Sequence, residues 1–77
     1  MQIKDALLEA MDHSGLSRYA VAKKIGKQQN YVYVMLAKGS DPAYKTLQAV
    51  ADACDYDILL RNRTDGHEIK LDPPNNE

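Results

Sequence analysis

Apolar residues in the first 54 positions recur three and four residues apart, which is the spacing of amphipathic helices. The pattern predicts four helices: residues 2–13, a short helix between Ser17 and Gly26, about 28–38, and about 43–54. Gly15, Gly26 and Gly39 are expected to end the first three, because glycine readily adopts the left-handed backbone that follows a helix. Ser17 is a favourable N-cap for the second helix.

The period of the pattern changes from 3.6 to 2 after Cys54, which predicts β-strands. Asp65-Gly66 separates two alternating segments and is a strong hairpin signal. A two-residue loop there predicts the cross-strand pairs Arg63–Glu68, Asn62–Ile69 and Leu60–Leu71. This register places four apolar residues on one face: Ile58, Leu60, Ile69 and Leu71.

The 77 residues, of which 44% are hydrophobic and 27% charged, suffice for one small globular domain. The single cysteine excludes an intrachain disulfide, and no pattern of histidines, cysteines and carboxylates predicts a metal site or a cofactor. The chain shows no signal-peptide pattern and no apolar run of membrane-spanning length, so we expect a cytoplasmic protein without a membrane partner. No nucleophile with a base, paired carboxylates or glycine-rich phosphate loop indicates an enzyme.

Charge is distributed unevenly along the chain. Residues 16–46 carry six bases against one acid, a net charge of +5. Residues 1–15 sum to −2 and residues 47–77 to −4. The total of −1 therefore conceals a basic central segment.

That basic segment satisfies the constraints of a helix-turn-helix, in which two helices cross through a tight turn. Ala22 is small enough for the second helix to pass closely over the first, and Gly26 permits a positive φ in the turn. The apolar residues that would hold the two helices together are Val21, Ile25, Val32 and Met35.

Several positions match one known class of regulators: Leu16, Ser17, Ala22, Gly26, Gln29, Val32, Leu36, Gly39, Pro42, Leu47 and Ala51. With these residues the chain resembles, over about residues 3–60, the Cro and phage-repressor class of helix-turn-helix proteins, the XRE family. In having a strand directly after the last helix, the chain is similar to small antitoxins and to phage or mobile-element regulators that dimerise through added β-structure. Lys27 departs from the family's usual apolar residue after the glycine, and Cys54-Asp55 departs from its Leu-Gly pair after the last helix.

Together these patterns predict a mainly α fold, a four-helix repressor-like helix-turn-helix domain followed by a C-terminal β-hairpin. We expect residues 1–55 to form the DNA-binding domain, residues 56–71 a hairpin that serves dimerisation, and residues 72–77 a flexible tail.

Residues at the start of a recognition helix meet base edges in the major groove, where side-chain amides can read adenine by donating and accepting together. The predicted base contacts are Gln28, Gln29, Asn30 and Tyr33. Tyr33 is equally compatible with packing or simple exposure. The predicted phosphate contacts are Ser17, Arg18, Lys23, Lys27, Lys38 and Lys45.

A lone hairpin is marginal in water, so its apolar face needs cover, which a second copy of the chain can supply. A homodimer also presents two recognition helices to a palindromic operator in double-stranded DNA. The predicted dimer interface consists of Ile58, Leu60, Ile69 and Leu71.

The leading hypothesis is a sequence-specific, dimeric transcriptional regulator, a repressor of phage, mobile-element or toxin–antitoxin type. In the antitoxin variant, the acidic residues 47–77 bind a toxin. The alternative is a protein-binding module of helix-turn-helix shape, such as an antitoxin or a phage-borne inhibitor acting on a protein partner. The apolar residues Tyr31, Tyr33 and Val34 favour this alternative, whereas the neighbouring amides and the local charge of +5 favour DNA.

Overall fold

Four helices and a two-stranded antiparallel sheet make up the computed structural model, which describes residues 1–72. In chain order the elements are α1 (Ile3–Ser14), α2 (Arg18–Lys24), α3 (Tyr31–Ala37), α4 (Tyr44–Ala53), β1 (Leu59–Arg61) and β2 (Glu68–Lys70). The predicted mainly α fold with a C-terminal hairpin is confirmed. Apart from Asp72, the predicted flexible tail lies outside the described residues. Within residues 1–72, no helix has the length and apolar character needed to cross a membrane.

Three of the helices end in the same way. Gly15 after α1, Gly26 after α2 and Asp55 after α4 adopt the left-handed conformation, with φ of 73°, 75° and 65°. At each end two backbone N–H groups donate back to carbonyl oxygens of the last helical turn. This arrangement satisfies carbonyls that a helix end otherwise leaves unpaired. The predicted roles of Gly15 and Gly26 are confirmed, and Asp55 takes the same role without being glycine.

Three helices meet in a core built around valine. Val21 of α2, Val32 of α3 and Val50 of α4 have no exposed surface. Leu7 and Met11 of α1 are buried against the same cluster. Burial of one such side chain stabilises the fold by about 1.5–3 kcal/mol relative to exposure. The orientation of each helix is thereby tied to the others.

The turn between α2 and α3 begins with two hydrogen bonds. The Gly26 N–H donates to the Lys23 carbonyl oxygen at 3.2 Å, and the Lys27 N–H donates to the Ala22 carbonyl oxygen at 2.9 Å. Ala22 is itself fully buried. The small residue and the glycine therefore occupy the places that the helix-turn-helix pattern predicts.

The structure corrects both ends of the third predicted helix. α3 begins three residues later than expected, so residues 28–30 belong to the turn, because the chain must still reverse direction after the hydrogen bonds that close α2. The first N–H of α3, that of Tyr31, donates to the Gln28 carbonyl oxygen at 2.9 Å. At the other end Lys38 is extended, with φ −68° and ψ 150°. Gly39 is not left-handed, so its predicted role as the end of this helix is wrong.

The predicted register of the hairpin is also wrong, by two residues. The structure pairs Leu59 with Lys70, Leu60 with Ile69, and Arg61 with Glu68. It therefore replaces the predicted pairs Arg63–Glu68, Asn62–Ile69 and Leu60–Leu71.

The side chain of Asn62 explains the longer loop. Its carboxamide oxygen accepts hydrogen bonds from the N–H groups of Thr64 at 2.8 Å and Asp65 at 3.3 Å. An asparagine that bonds to the backbone two and three residues ahead initiates a turn by itself. The loop thus starts at Asn62, and Gly66, with φ 79°, completes it rather than forming its centre.

A shift of an even number of residues leaves each side chain on its predicted face. Ile58, Leu60, Ile69 and Leu71 therefore share one face of the hairpin, as expected. Ile58 and Leu71 are half-buried, whereas Leu60 is 60% and Ile69 is 53% exposed. At the base of the hairpin, the Tyr44 hydroxyl of α4 donates to the Asp72 carbonyl oxygen at 2.6 Å.

The left-handed residues at the helix ends predict that two substitutions change the free energy of unfolding in opposite directions. Gly26→Ala should lower the free energy of unfolding by about 1 kcal/mol, and Asp55→Gly should raise it by a similar amount, because only glycine adopts this backbone without strain. Gly39→Ala is the control, since Gly39 is not left-handed and an added Cβ meets no atom within 4 Å. Urea denaturation followed by circular dichroism measures the free energy of unfolding of all three variants. Equal losses for Gly26→Ala and Gly39→Ala would contradict the explanation.

Candidate nucleic-acid interface

Ser17, the N-cap of α2, is the first residue of the candidate interface. Its Oγ accepts a hydrogen bond from the Ala20 N–H at 3.0 Å, which confirms the predicted N-cap. This bond uses an oxygen lone pair and leaves the hydroxyl hydrogen available to an external acceptor. The same hydroxyl can therefore cap α2 and donate to a phosphate.

Three consecutive amide side chains stand at the entrance to α3. Gln28, Gln29 and Asn30 are all exposed. Asn30 occupies the N-cap position, but its side chain makes no capping hydrogen bond. An amide donates through its nitrogen and accepts through its oxygen, so it can match a base edge that offers both groups. Three of the four predicted base contacts thus lie together in the turn, and Tyr33 lies in α3.

Two lysines lie beside these amides. Lys23 and Lys27 line one shallow depression of about 620 Å³ with Tyr19 and residues 28–30. Both lysines are exposed. Five of the predicted contact residues are therefore neighbours, with the positive charges next to the amides. Charges so placed could hold a phosphate backbone while the amides face bases.

Arg18 connects α2 to the middle of α3. Its guanidinium carbon lies 5.0 Å from the centroid of the Tyr33 ring, which is a cation–π contact. Arg18 is half-buried, whereas Tyr33 is 56% exposed. Ser17, Arg18 and Tyr33 line a second depression. A predicted phosphate contact and a predicted base contact are therefore positioned as a pair.

A second cation–π contact joins the turn to the start of α3. The Lys27 ammonium lies 5.6 Å from the centroid of the Tyr31 ring. Tyr31 packs against the core, and its hydroxyl donates to Thr46 Oγ1 at 3.5 Å. Tyr31 is thus a structural residue that links α3 to α4 and supports Lys27.

The remaining predicted phosphate contacts lie elsewhere on the surface. Lys38 follows α3, Lys45 is in the first turn of α4, and both are exposed without lining either depression. Sequence reasoning missed Lys4 of α1, whose Nζ donates to the Lys38 carbonyl oxygen. Lys4 belongs to an acidic segment of the sequence, so a sum of charges along the chain does not reveal that it lies beside Lys38, at the end of α3.

Lys24 is directed away from this surface. Its Nζ donates to the Ala53 carbonyl oxygen at 2.8 Å, at the C-terminal end of α4, where a positive charge is favourable. Burial raises the pKa of the neighbouring Cys54 thiol, and the charge of Lys24 partly offsets this effect. A buried thiol that resists ionisation is a poor nucleophile, so Cys54 is a core residue. Within residues 1–72, no three metal-ligating side chains lie together.

The outer side of α3 also carries Val34, which is 49% exposed beside Tyr33. The sequence shows it as one of an unusual run of apolar residues but does not reveal that it faces solvent. The four predicted dimer residues line neither depression. The candidate interface and the apolar face of the hairpin are therefore separate surfaces.

A family model described as Helix-turn-helix matches residues 7–60 of the chain. The match covers 54 of 77 residues and includes most of α1, all of α2, α3 and α4, and the start of β1. No curated protein and no solved structure matches the chain.

The double role of Ser17 can be tested with two substitutions. Ser17→Ala removes both the cap and the donor, so it should lower the free energy of unfolding by about 1 kcal/mol and weaken DNA binding. Ser17→Asp retains a capping oxygen but adds a negative charge, so it should preserve stability and weaken DNA binding more. Urea denaturation and fluorescence anisotropy with a labelled duplex separate the two effects. DNA binding by Ser17→Asp as tight as that of the native chain would exclude a phosphate contact here.

Proposed function

The chain belongs to the helix-turn-helix family, in its Cro and XRE class, and from this premise we propose that it is a sequence-specific, homodimeric transcriptional repressor. The family assignment itself makes it a DNA-binding regulator in general terms. One observation carries the proposal that the chain reads a DNA sequence. Gln28, Gln29 and Asn30 are exposed at the entrance to α3, next to Lys23 and Lys27.

In the proposed complex, α3 lies in the major groove. An α-helix with its side chains is about 10–12 Å in diameter, which fits a groove about 12 Å wide. Gln29 and Asn30 read base edges, and Gln28 lies nearer the backbone. Tyr33, one turn further along the helix, contacts a thymine methyl group or donates to a phosphate.

Positive residues and the Ser17 hydroxyl hold the DNA around this helix without reading its sequence. We assign phosphate contacts to Ser17, Arg18, Lys23 and Lys27, and peripheral ones to Lys38 and Lys45. Each cation that neutralises a phosphate releases bound counterions, so affinity must fall steeply as salt rises. The overall charge of −1 does not oppose this, because the local field at the groove comes from the nearest side chains.

We further propose that residues 1–55 bind DNA and residues 56–71 join two chains. The exposed Leu60 and Ile69 support this division, because apolar side chains of this size gain free energy when a second chain covers them. A two-fold axis between the chains requires a palindromic operator, with one recognition helix in each half-site. A dimer on such an operator represses transcription by occupying the promoter.

Tyr33 and Val34 support a second candidate function, binding to a protein. Both are about half exposed on the outer side of α3, where DNA readers more often carry polar side chains. In this alternative, α3 is a protein-docking helix, as in an antitoxin or an inhibitor of a partner enzyme. The two candidates differ in their dependence on salt and on Gln29.

Selection of bound duplexes from a random DNA pool tests the leading proposal. We expect enrichment of a palindromic motif, and an affinity for it that falls by about 10³-fold or more between 50 and 200 mM salt. Gln29→Ala should lose discrimination between the motif and a scrambled duplex, by about 1–3 kcal/mol for each half-site. Lys27→Gln should weaken both duplexes equally and reduce the salt slope by about one for each half-site, or about two for the dimer.

Arg63→Gln, which removes one positive charge from the hairpin loop, is the matched control for Lys27→Gln. It should leave both the affinity and the salt slope as in the native chain. A pool without enrichment, together with weak binding to every duplex, would contradict the proposal and favour a protein partner.

A further inference from the structure

The hairpin is a two-stranded sheet, so each strand has one edge without a backbone partner in the described part of the chain. The Asn62 N–H donates to the His67 carbonyl oxygen at 2.7 Å, and the Leu71 N–H donates to the Ile58 carbonyl oxygen at 2.8 Å. Hydrogen-bonded and non-hydrogen-bonded pairs alternate along an antiparallel ladder. The residues whose backbone groups point outward are therefore Leu59, Arg61, Glu68 and Lys70.

The outer edge of β2 can pair with the same edge of a second copy of the chain. In an antiparallel pair of two β2 strands, the outward groups of Glu68 and Lys70 must meet outward groups of the second copy. A two-fold axis at Glu68 sets two carboxylates opposite each other, and an axis at Lys70 sets two ammonium groups opposite each other. An axis at Ile69 instead sets Glu68 opposite the partner's Lys70, and does so twice. Opposite charges across a strand pair stabilise it, whereas like charges destabilise it.

The same register continues the apolar face from one copy to the next. Ile69 lies opposite the partner's Ile69 in a non-hydrogen-bonded pair, the kind in which side chains are closer. Leu60 is already opposite Ile69 within each chain. Leu60 and Ile69 are the most exposed residues of the apolar face, and this arrangement joins them in one row across four strands.

The outer edge of β1 offers no equal match. Within β1, the outward residues can meet only as Leu59 with Leu59, Leu59 with Arg61, or Arg61 with Arg61. An axis at Leu59 also sets Arg61 opposite the partner's Asp57, but Asp57 lies before the strand and outside the ladder. Asp57, which precedes the strand, lies 3.4 Å from Lys70 of its own chain.

We infer that two copies of this chain pair antiparallel through β2, centred on Ile69, with Glu68 of each copy opposite the partner's Lys70. The inference rests on the proposed homodimer and specifies its edge and register. It joins two hairpins into one four-stranded sheet and closes the β2 edge of each.

Charge reversal at these two positions tests the register. Glu68→Lys alone and Lys70→Glu alone each set like charges opposite each other at both ends of the pairing. The dissociation constant of the dimer, from sedimentation equilibrium at low salt, should rise about ten-fold in each variant. An equimolar mixture of the two variants restores opposite charges and should dimerise like the native chain, as should the double variant. Circular dichroism verifies that every variant is folded.

Arg61→Glu is the matched control at the β1 edge and should leave the dissociation constant unchanged. Weakening by Arg61→Glu without weakening by Glu68→Lys would overturn the inference, as would a monomeric native chain at micromolar concentration. DNA binding is measured separately on the native chain. If the charge variants change the dissociation constant of the dimer as expected but the native chain does not bind DNA, the register is supported and only the proposed function is contradicted.

Discussion

The buried contact between α2 and α3 is the constraint on which the remaining structure depends. Val21 and Ala22 of α2 meet Val32 of α3 in the core, and none of the three has exposed surface. The chain passes from one helix to the other through Gly26, whose left-handed backbone brings α3 back across α2. This packing determines which side of α3 faces outward. The contact that stabilises the fold therefore also presents Tyr33 to solvent.

A binding surface needs side chains that are exposed and yet held in position. Here the amides of residues 28–30 belong to a turn that begins with backbone hydrogen bonds to the last turn of α2. Arg18 and Lys27 each lie over a tyrosine ring of α3, which restricts how far their charges can move. The helices α2 and α3 are short, but they pack into one core to which all four helices contribute. Order at the surface thus comes from the core beneath it.

The sequence predicts the helices well because each buries one apolar stripe, and a stripe is visible as periodicity. It misplaces the start of α3, because residues 28–30 are polar and compatible with either a turn or a first helical turn. It misses the hairpin register because Asn62 starts the loop through its side chain, whereas Asp65-Gly66 is the more familiar signal. Asp55 adopts the backbone of a glycine, and composition gives no sign of it. The apolar face of the hairpin is nevertheless predicted correctly, since an even shift preserves alternation.

Two surfaces of different character result, a basic one on α2 and the turn that follows it, and an apolar one on a face of the hairpin. Assigning DNA to the first is tested most directly by nuclear magnetic resonance. Backbone amide shifts of an isotope-labelled native chain are recorded while a selected duplex is added. The largest changes are expected within residues 17–38, with small changes in β1 and β2. Large changes in the hairpin, with α2 and α3 unaffected, would contradict the assignment.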